Sequence, residues 1–390
     1  MTEFTPQRFT AVEMLDRLVA FDTTSRLSNL ALIAFVQDYL SGWGVESLVI
    51  PNEDNTKASL YATIGPKDRG GIALSGHTDV VPVEGQDWHT DPFTLTEREG
   101  KLYGRGSCDM KGFVAAALAH VPDFLDRDLR QPIHLALSYD EEVGCLGVRP
   151  MIAEIAARHP LPRAVIVGEP TMMTVVDAHK GTRRFRTDVT GREAHSSMPQ
   201  LAVNAVMVAG ELVAELARLS RELRDRGDPS GRFEPAYTTL QVGRIEGGGA
   251  QNIIPRHCHF FWEMRLLPSA DPNEIPRRFD AFADELMADM RAVDPEAGIV
   301  TSEVGGVVAL KPDAGSEAER LALFLSGTNQ TFAVSYATEG GLFQEAAMSA
   351  IVCGPGDIAQ AHQPNEFITL QQMEKCSKFM LDLADYASKR

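Results

Sequence analysis

Short apolar segments alternate with helical patterns in the first half of the chain, and this alternation constrains the fold most strongly. Four segments are typical of buried strands: residues 59–65, 71–75, 131–138 and 164–167. Two helical patterns lie among them, at residues 112–125 and 149–158. Strands that alternate with helices favour a layered α/β domain. We therefore expect an α/β fold with a mixed, mostly parallel sheet.

The middle of the chain has a different order of elements. Its strands and helices follow the order βαββαβ, at residues 184–190, 201–224, 238–245, 257–267, 276–290 and 298–303. That order is typical of a ferredoxin-like sandwich. After about residue 306 the α/β pattern returns, with a final helix at residues 371–388. We expect one domain formed by residues 1–181 and 307–390, interrupted by an inserted domain at residues 182–306.

Composition excludes several classes of function. The 390 residues carry a formal net charge of −17, which argues against a nucleic-acid partner and against binding to acidic membranes. The N-terminus has neither a basic nor an apolar signal region, and no apolar run reaches the roughly 18–20 residues that span a bilayer. The five cysteines are scattered and form no CxxC pair, so we expect reduced thiols in the cytoplasm.

Polar clusters interrupt the chain at or near the ends of apolar segments. They contain His77 with Asp79, Asp109, the run Asp140-Glu141-Glu142, Glu169, and His362. Ligands of α/β sheets gather outside the carboxyl ends of the strands, so these side chains can converge on one site. Two imidazoles and several carboxylates without a thiolate suit Zn²⁺, Co²⁺ or Mn²⁺.

Each cluster alone also has an ordinary structural interpretation. A histidine at a strand end is more often a structural residue whose ring nitrogens are hydrogen-bonded. A run of acidic residues is usually part of a solvated loop. His257 and His259 form an H-x-H pattern, but their neighbours Cys258, Phe260 and Trp262 indicate a buried face with the histidines on the other side. The chain has no glycine motif for nucleotide phosphates and no GxSxG nucleophile motif.

The order of the clusters is far more specific than any one of them. SGHTDVVP, GRGSCDMKG, DEEVG, GEPT and AHQPNE follow one another along the chain. This series resembles the dinuclear zinc metallopeptidase and aminoacylase family, over essentially the whole chain. The resemblance implies two divalent metal ions, Zn²⁺ or Co²⁺, in the larger domain. It implies these ligands: His77 and Glu169 for one metal, Glu142 and His362 for the other, and Asp109 for both.

The resemblance also implies roles for residues beside the metals. Asp79 would accept a hydrogen bond from the far nitrogen of His77 and so fix its tautomer. Glu141 would be the general base of a metal-assisted amide hydrolysis, while the adjacent Glu142 binds metal. The peptide after Asp109 would be cis.

Three stretches indicate the substrate: WHTDPFTLTEREGKLYGRG, DAHKGTRRF, and YATEGGLFQEA with GPGDIAQAHQPNEF. They resemble family members that deacetylate N2-acetyl-L-ornithine. Glu339, expected near His362, would favour a substrate with a side-chain ammonium, whereas Gly340 and Gly341 replace an alanine-proline pair common in those members. Arg265 and Asn252 match positions that hold a substrate carboxylate; alone they would be interpreted as a strand arginine and a turn asparagine.

His195 lies in the motif TGREAHSSMPQ near the first helix of the inserted domain. Its simplest interpretation is an exposed histidine beside helix-capping serines. The resemblance instead implies that it stabilises the oxyanion of the reaction and comes from the neighbouring subunit of a homodimer, with the inserted domain as lid and dimerisation surface. Desuccinylation of succinyl-diaminopimelate, hydrolysis of another N-acyl amino acid or a dipeptide, and a non-catalytic binding role remain alternatives.

Overall fold

The computed structural model describes residues 7–389. Contacts within the chain divide it into two compact units. The first unit contains the described residues up to Ala178, together with residues 312–332 and those from Thr338 onward. The second unit contains residues 179–311 and 333–337. Each unit has a hydrophobic core of its own.

The described residues form α-helices and β-strands in both units. The helices are α1 (Ala11–Val19), α2 (Leu30–Gly42), α3 (Lys111–Ala119), α4 (Val121–Leu125), α5 (Val148–Arg158), α6 (Ala205–Arg226), α7 (Glu274–Val293), α8 (Glu317–Ser326), α9 (Gly340–Glu345) and α10 (Leu370–Lys389). The strands are β1 (Ser47–Pro51), β2 (Ala58–Ile64), β3 (Ile72–His77), β4 (Thr96–Arg98), β5 (Lys101–Tyr103), β6 (Ile133–Ser138), β7 (Ala164–Pro170), β8 (Val175–His179), β9 (Gly181–Thr190), β10 (Ala194–His195), β11 (Thr239–Gly247), β12 (Ile253–Ile254), β13 (His257–Leu266), β14 (Gly298–Val307), β15 (Thr331–Val334), β16 (Ala350–Gly354) and β17 (Phe367–Thr369).

An eight-stranded mixed sheet has the order β1-β2-β6-β3-β7-β16-β8-β15. Its centre is parallel, because β3 pairs in parallel with β6 and β7, and β7 pairs in parallel with β16. The strands β1, β2 and β8 make antiparallel pairs. All residues of β3, β6 and β7 are buried, as expected for strands covered on both faces. The mixed α/β fold predicted from the sequence is confirmed.

Local sequence signals set the ends of the helices in the first unit. Thr10 and Glu13 form a reciprocal capping box that starts α1. Ser316 caps α8, and Gly327 ends it in the left-handed conformation that glycine adopts without strain. The single helix predicted over residues 112–125 is two helices. Pro122 lies in the first turn of α4, where its missing backbone N–H costs no helical hydrogen bond.

The second unit has a four-stranded antiparallel sheet with the order β11-β13-β9-β14. The four strands of this sheet and the helices α6 and α7 follow the predicted order βαββαβ, and β10 and β12 form a separate two-stranded sheet. The buried residues of β13 alternate along the strand, and Phe260 and Trp262 join the core beneath these helices. His257 and His259 lie on the other, more exposed face, as their neighbours predicted.

None of the helices formed by residues 7–389 is both long and apolar enough to cross a membrane.

Candidate active site

Three parallel strands carry the first residues of the site to one edge of the large sheet. His77 is the last residue of β3 and lies opposite Ser138, the last residue of β6. Glu169 is near the end of β7, on the other side of β3. A side chain at Gly168 would collide with the ring of Phe113, 2.0 Å from the position of its Cβ, so only glycine fits before Glu169 here. The strand order therefore brings the predicted residues together.

Asp109 lies between two imidazoles. Its Oδ1 is 3.1 Å from Nε2 of His77, and its Oδ2 is 3.5 Å from Nε2 of His362. Glu169 Oε1 is 3.7 Å from the His77 nitrogen, and Glu142 Oε2 is 2.9 Å from the His362 nitrogen. The two groups of side chains thus share one carboxylate. The peptide between Asp109 and Met110 is cis, as the resemblance implied.

The cluster concentrates negative charge away from water. Burial, Asp109 and the neighbouring glutamates raise the pKa of Glu169 well above its ordinary value. Burial and Asp109 raise the pKa of Glu142 to about 7. Hydrogen bonds to Asp109 and Glu142 raise the pKa of His362 to about 10. Buried carboxylates whose charge is only partly balanced form a set into which a cation fits. Potential ligand atoms lie within 4.8 Å of one another in two groups: His77, Asp109 and Glu142, and His77, Glu141 and Glu169.

Asp79 supports the site in a different way from the predicted one. Nδ1 of His77 donates to the backbone carbonyl of Asp79 at 2.9 Å, whereas the nearest carboxylate oxygen is 3.6 Å away. The carboxylate instead accepts hydrogen bonds from the backbone N–H groups of Glu141 and Glu142 and from the Ser25 hydroxyl. Hydrogen bonds from three donors stabilise it there. The hydrogen bond to the Asp79 carbonyl still fixes the Nδ1 proton of His77, and Nε2 faces Asp109.

Glu141 and Glu142 follow β6 in a tight turn. Asp140, just before them, has a positive φ of 55° and is held by an ion pair with Lys57 at 2.5 Å. Burial raises the pKa of Glu141 well above its ordinary value, and the charges of Glu142 and Glu339 add to the effect. Buried carboxyl groups with raised pKa values are common among groups that transfer protons in active sites.

Glu339 lies deeper than the sequence suggested. The whole residue is 1% exposed, and its carboxylate accepts hydrogen bonds from the hydroxyls of Ser75, at 3.1 Å, and Ser138. Ser75 lies two residues before His77 in β3, and Ser138 is the last residue of β6, opposite His77. Burial raises the pKa of Glu339 to about 7. The Glu339 carboxylate is therefore a buried neighbour of His77 and Glu141. Both of its oxygens already accept hydrogen bonds from serines.

Glu366 is a further residue of the site that no sequence pattern singled out, although it lies in the stretch GPGDIAQAHQPNEF. This residue is 1% exposed, and its carboxylate accepts hydrogen bonds from the backbone N–H groups of Gly106, Cys108 and Asp109 at 2.8–3.0 Å. It also pairs with Arg105 at 2.8 Å. An acidic residue shortly after His362 could have suggested a role at the site. Its partners are backbone N–H groups, which no sequence pattern reveals.

The remaining predicted residues lie in the second unit. Exposed His195 pairs with Ile253 across β10 and β12, and the adjacent Ser196 N–H donates to the Asn252 carbonyl at 3.0 Å. Nδ1 of His195 lies 2.7 Å from the Ser197 hydroxyl oxygen and 3.2 Å from the Ser197 backbone nitrogen. Arg265, on β13, is partly exposed. The long helix predicted from residue 201 begins later, at α6, because Asn204 is the residue that caps it.

The chain is similar to known proteins in sequence and in fold. A protein from Myxococcus xanthus described as acetylornithine deacetylase is 35% identical over 367 residues, 93% of each chain. Another of that description, from Proteus mirabilis, is 34% identical over 388 residues and 96% of each chain. The fold is similar to an M20 family metallo-carboxypeptidase of Sulfolobus solfataricus, with a TM-score of 0.76, 18% identity, and coverage of 97% of this chain and 99% of that one. The model of peptidase family M20/M25/M40 matches residues 73–386, and the chain belongs to this family.

Proposed function

We propose that this chain is a metal-dependent amide hydrolase that removes the acetyl group from N2-acetyl-L-ornithine, giving L-ornithine and acetate for arginine biosynthesis. The observation that carries the chemistry is Asp109, whose two oxygens face the imidazoles of His77 and His362. Relatives described as acetylornithine deacetylases, similar over nearly the whole chain, support the choice of substrate. Free, buried cysteines support a cytoplasmic location.

The proposed ligands form two sets that share Asp109. His77 and Glu169 would hold one divalent cation, and Glu142 and His362 the other. Imidazole and carboxylate donors without thiolate suit Zn²⁺, with Co²⁺ as the alternative. When bound, the two cations would polarise the scissile carbonyl and lower the pKa of a water molecule.

Glu141 is the proposed general base. It takes a proton from the attacking water as the water oxygen bonds to the carbonyl carbon, and it then gives that proton to the leaving nitrogen as the C–N bond breaks. Burial raises the pKa of Glu141 above its ordinary value, and a carboxylate with a raised pKa is a stronger base for this exchange. Asp79 holds the backbone of Glu141 and Glu142, which fixes the points from which both side chains extend.

The second unit supplies the proposed contacts with the substrate. Asn252 and Arg265 would hold the substrate carboxylate, since an amide and a guanidinium can both donate to it. His195 would donate from Nε2 to the oxyanion, and we assign it to the neighbouring subunit of a homodimer. Residues 182–306 are the proposed lid and dimerisation domain. The contacts of its Nδ1 with Ser197 support Nε2 as the nitrogen that faces the substrate.

Glu339 is the proposed source of selectivity for the side-chain ammonium. Because serine hydroxyls already bind its oxygens, its effect is better explained by its negative field than by direct contact with the ammonium. A substrate with a cationic side chain gains from that field, and a neutral one does not.

A substrate panel tests the proposed function. The zinc-loaded chain should hydrolyse N2-acetylornithine at least about tenfold more efficiently, in kcat/KM, than N-succinyl-diaminopimelate, dipeptides or the neutral analogue N-acetylnorvaline. The Glu339→Gln variant should lose more on N2-acetylornithine than on N-acetylnorvaline, while Glu345→Gln, an exposed control on α9, should change neither.

Each result of this panel has a definite meaning. Preference for the succinyl substrate would replace the proposed acyl group, and no hydrolysis of any amide would favour a binding role. Equal losses of Glu339→Gln on both acetyl substrates would show that Glu339 does not distinguish the ammonium.

A further inference from the structure

A thiol lies against the proposed general base. Sγ of Cys145 donates a hydrogen bond to Oε1 of Glu141 at 3.3 Å, and Cys145 is 1% exposed. This contact holds one oxygen of the Glu141 carboxylate.

The backbone is shaped to make this contact. The N–H groups of Gly144 and Cys145 both donate to the Glu141 carbonyl at 2.9 Å, which folds the chain into a tight turn. Cys145 has a φ of +54°, in the left-handed region that residues with a Cβ avoid. Cysteine is an unusual choice at such a position, where glycine or asparagine is common. Unfavourable backbone conformations of this kind concentrate at functional sites.

The thiol is suited to donate rather than to react. Burial and the charges of Glu141 and Glu339 raise the pKa of the Cys145 thiol well above its ordinary value, so it keeps its proton. A protonated thiol is a weak donor without charge. It can orient a carboxylate while leaving most of its basicity, whereas a lysine or arginine there would lower the pKa of the base strongly.

We propose that Cys145 is a positioning residue for Glu141: its S–H group holds Oε1 so that the second oxygen faces the water whose proton Glu141 takes. This inference rests on the proposed function, because it assumes that Glu141 is the base. It adds that the geometry of the base depends on a side chain four residues later, across the turn.

Two substitutions of the full-length, zinc-loaded chain test the inference. Cys145→Ala removes the donor and should lower kcat for N2-acetylornithine about tenfold, with KM changed less than about twofold, because a misplaced base slows chemistry without weakening binding. Cys145→Ser keeps a donor and should recover at least about a third of the wild-type kcat. Cys376→Ala, which removes another fully buried thiol in α10, is the matched control and should leave kcat unchanged.

Wild-type kcat in Cys145→Ala would overturn the inference, as would equal losses in the alanine and serine variants. Crystal structures of the zinc-loaded wild type and Cys145→Ala give a readout independent of turnover. We expect the Glu141 carboxylate to turn away from its wild-type orientation in the variant, and an unchanged orientation would also overturn the inference. If the carboxylate turns but the wild type does not hydrolyse N2-acetylornithine, the proposed function fails while the positioning role stands.

Discussion

Glu141 and Glu142 are adjacent in the chain, yet their carboxylates have different partners. Glu142 contacts Nε2 of His362 at 2.9 Å, whereas Glu141 accepts from the Cys145 thiol. Neighbouring side chains after a strand diverge, so one can bind metal while the other faces substrate. Their substitutions should therefore have different effects.

We expect Glu141→Gln to lower kcat by roughly 10²–10⁴-fold with near wild-type metal content, because it removes only the base. Glu142→Gln should instead weaken binding of one of the two metals. Metal analysis by mass spectrometry and steady-state kinetics on the same preparations measure both effects. Glu97→Gln, at an exposed position of β4, is the control. Equal metal loss in the two active-site variants would reverse the assignment of this pair.

The residues of the site were largely predictable, but their contacts were not. Motif order pointed to His77, Asp109 and His362, and the fold brings all three together. The partner of the His77 Nδ1 proton is a backbone carbonyl because the Asp79 carboxylate is occupied by backbone N–H groups. Whether the carbonyl or the carboxylate of Asp79 accepts the proton depends on their positions in three dimensions. No pattern in a single sequence reveals those positions.

Helices and strands were predicted best where their hydrophobic periodicity is strong. The order of the main elements in residues 182–306 was correct, because burial alternates along β13 and α6 is amphipathic. Neither α1 nor α2 was predicted. The sequence of α2, LALIAFVQDYLSG, is apolar around most of its circumference and gives no clear helical stripe. Short strands such as β4 and β5 have three residues each, too few for a periodic signal.

The loop before α3 is held by a residue far along the chain. Glu366 binds the backbone of Gly106, Cys108 and Asp109, so the segment that follows His362 also fixes the position of Asp109. Three backbone N–H groups depend on the Glu366 carboxylate. Loss of that carboxylate should therefore loosen Asp109, the ligand proposed to be shared by both metals.

We predict that Glu366→Gln lowers zinc affinity about 10–100-fold, the usual effect of removing a group that orients a ligand. Zinc titration against a chelating dye measures this affinity, and circular dichroism establishes that the variant is folded. Glu374→Gln, an exposed substitution on α10, should bind zinc like the wild type. Unchanged affinity in folded Glu366→Gln would show that the loop is held by its other contacts.

At the scale of the whole molecule, the proposed homodimer makes the two active sites composite. If His195 acts from the neighbouring subunit, a mixed dimer of His195→Ala and Glu141→Gln chains contains one site with both residues intact. After full subunit exchange, about a quarter of all sites should be intact, so activity should recover to about a quarter of wild type. Either variant alone should stay nearly inactive.

Subunit exchange must be measured separately, for example by mass spectrometry of differently tagged chains. Failure to recover activity after complete exchange would mean that His195 acts within its own chain or not at all.

Two metal ions that share the Asp109 carboxylate are proposed to drive amide hydrolysis. One titration tests this proposal most directly. The wild-type chain is stripped with a chelator, Zn²⁺ is returned in steps, and hydrolysis of N2-acetylornithine is followed at each step. We predict no turnover in the stripped chain and a rise to full activity by about two equivalents of zinc per chain. Full turnover by the stripped chain, or a zinc-saturated chain that hydrolyses no N2-acetylornithine, would contradict the claim.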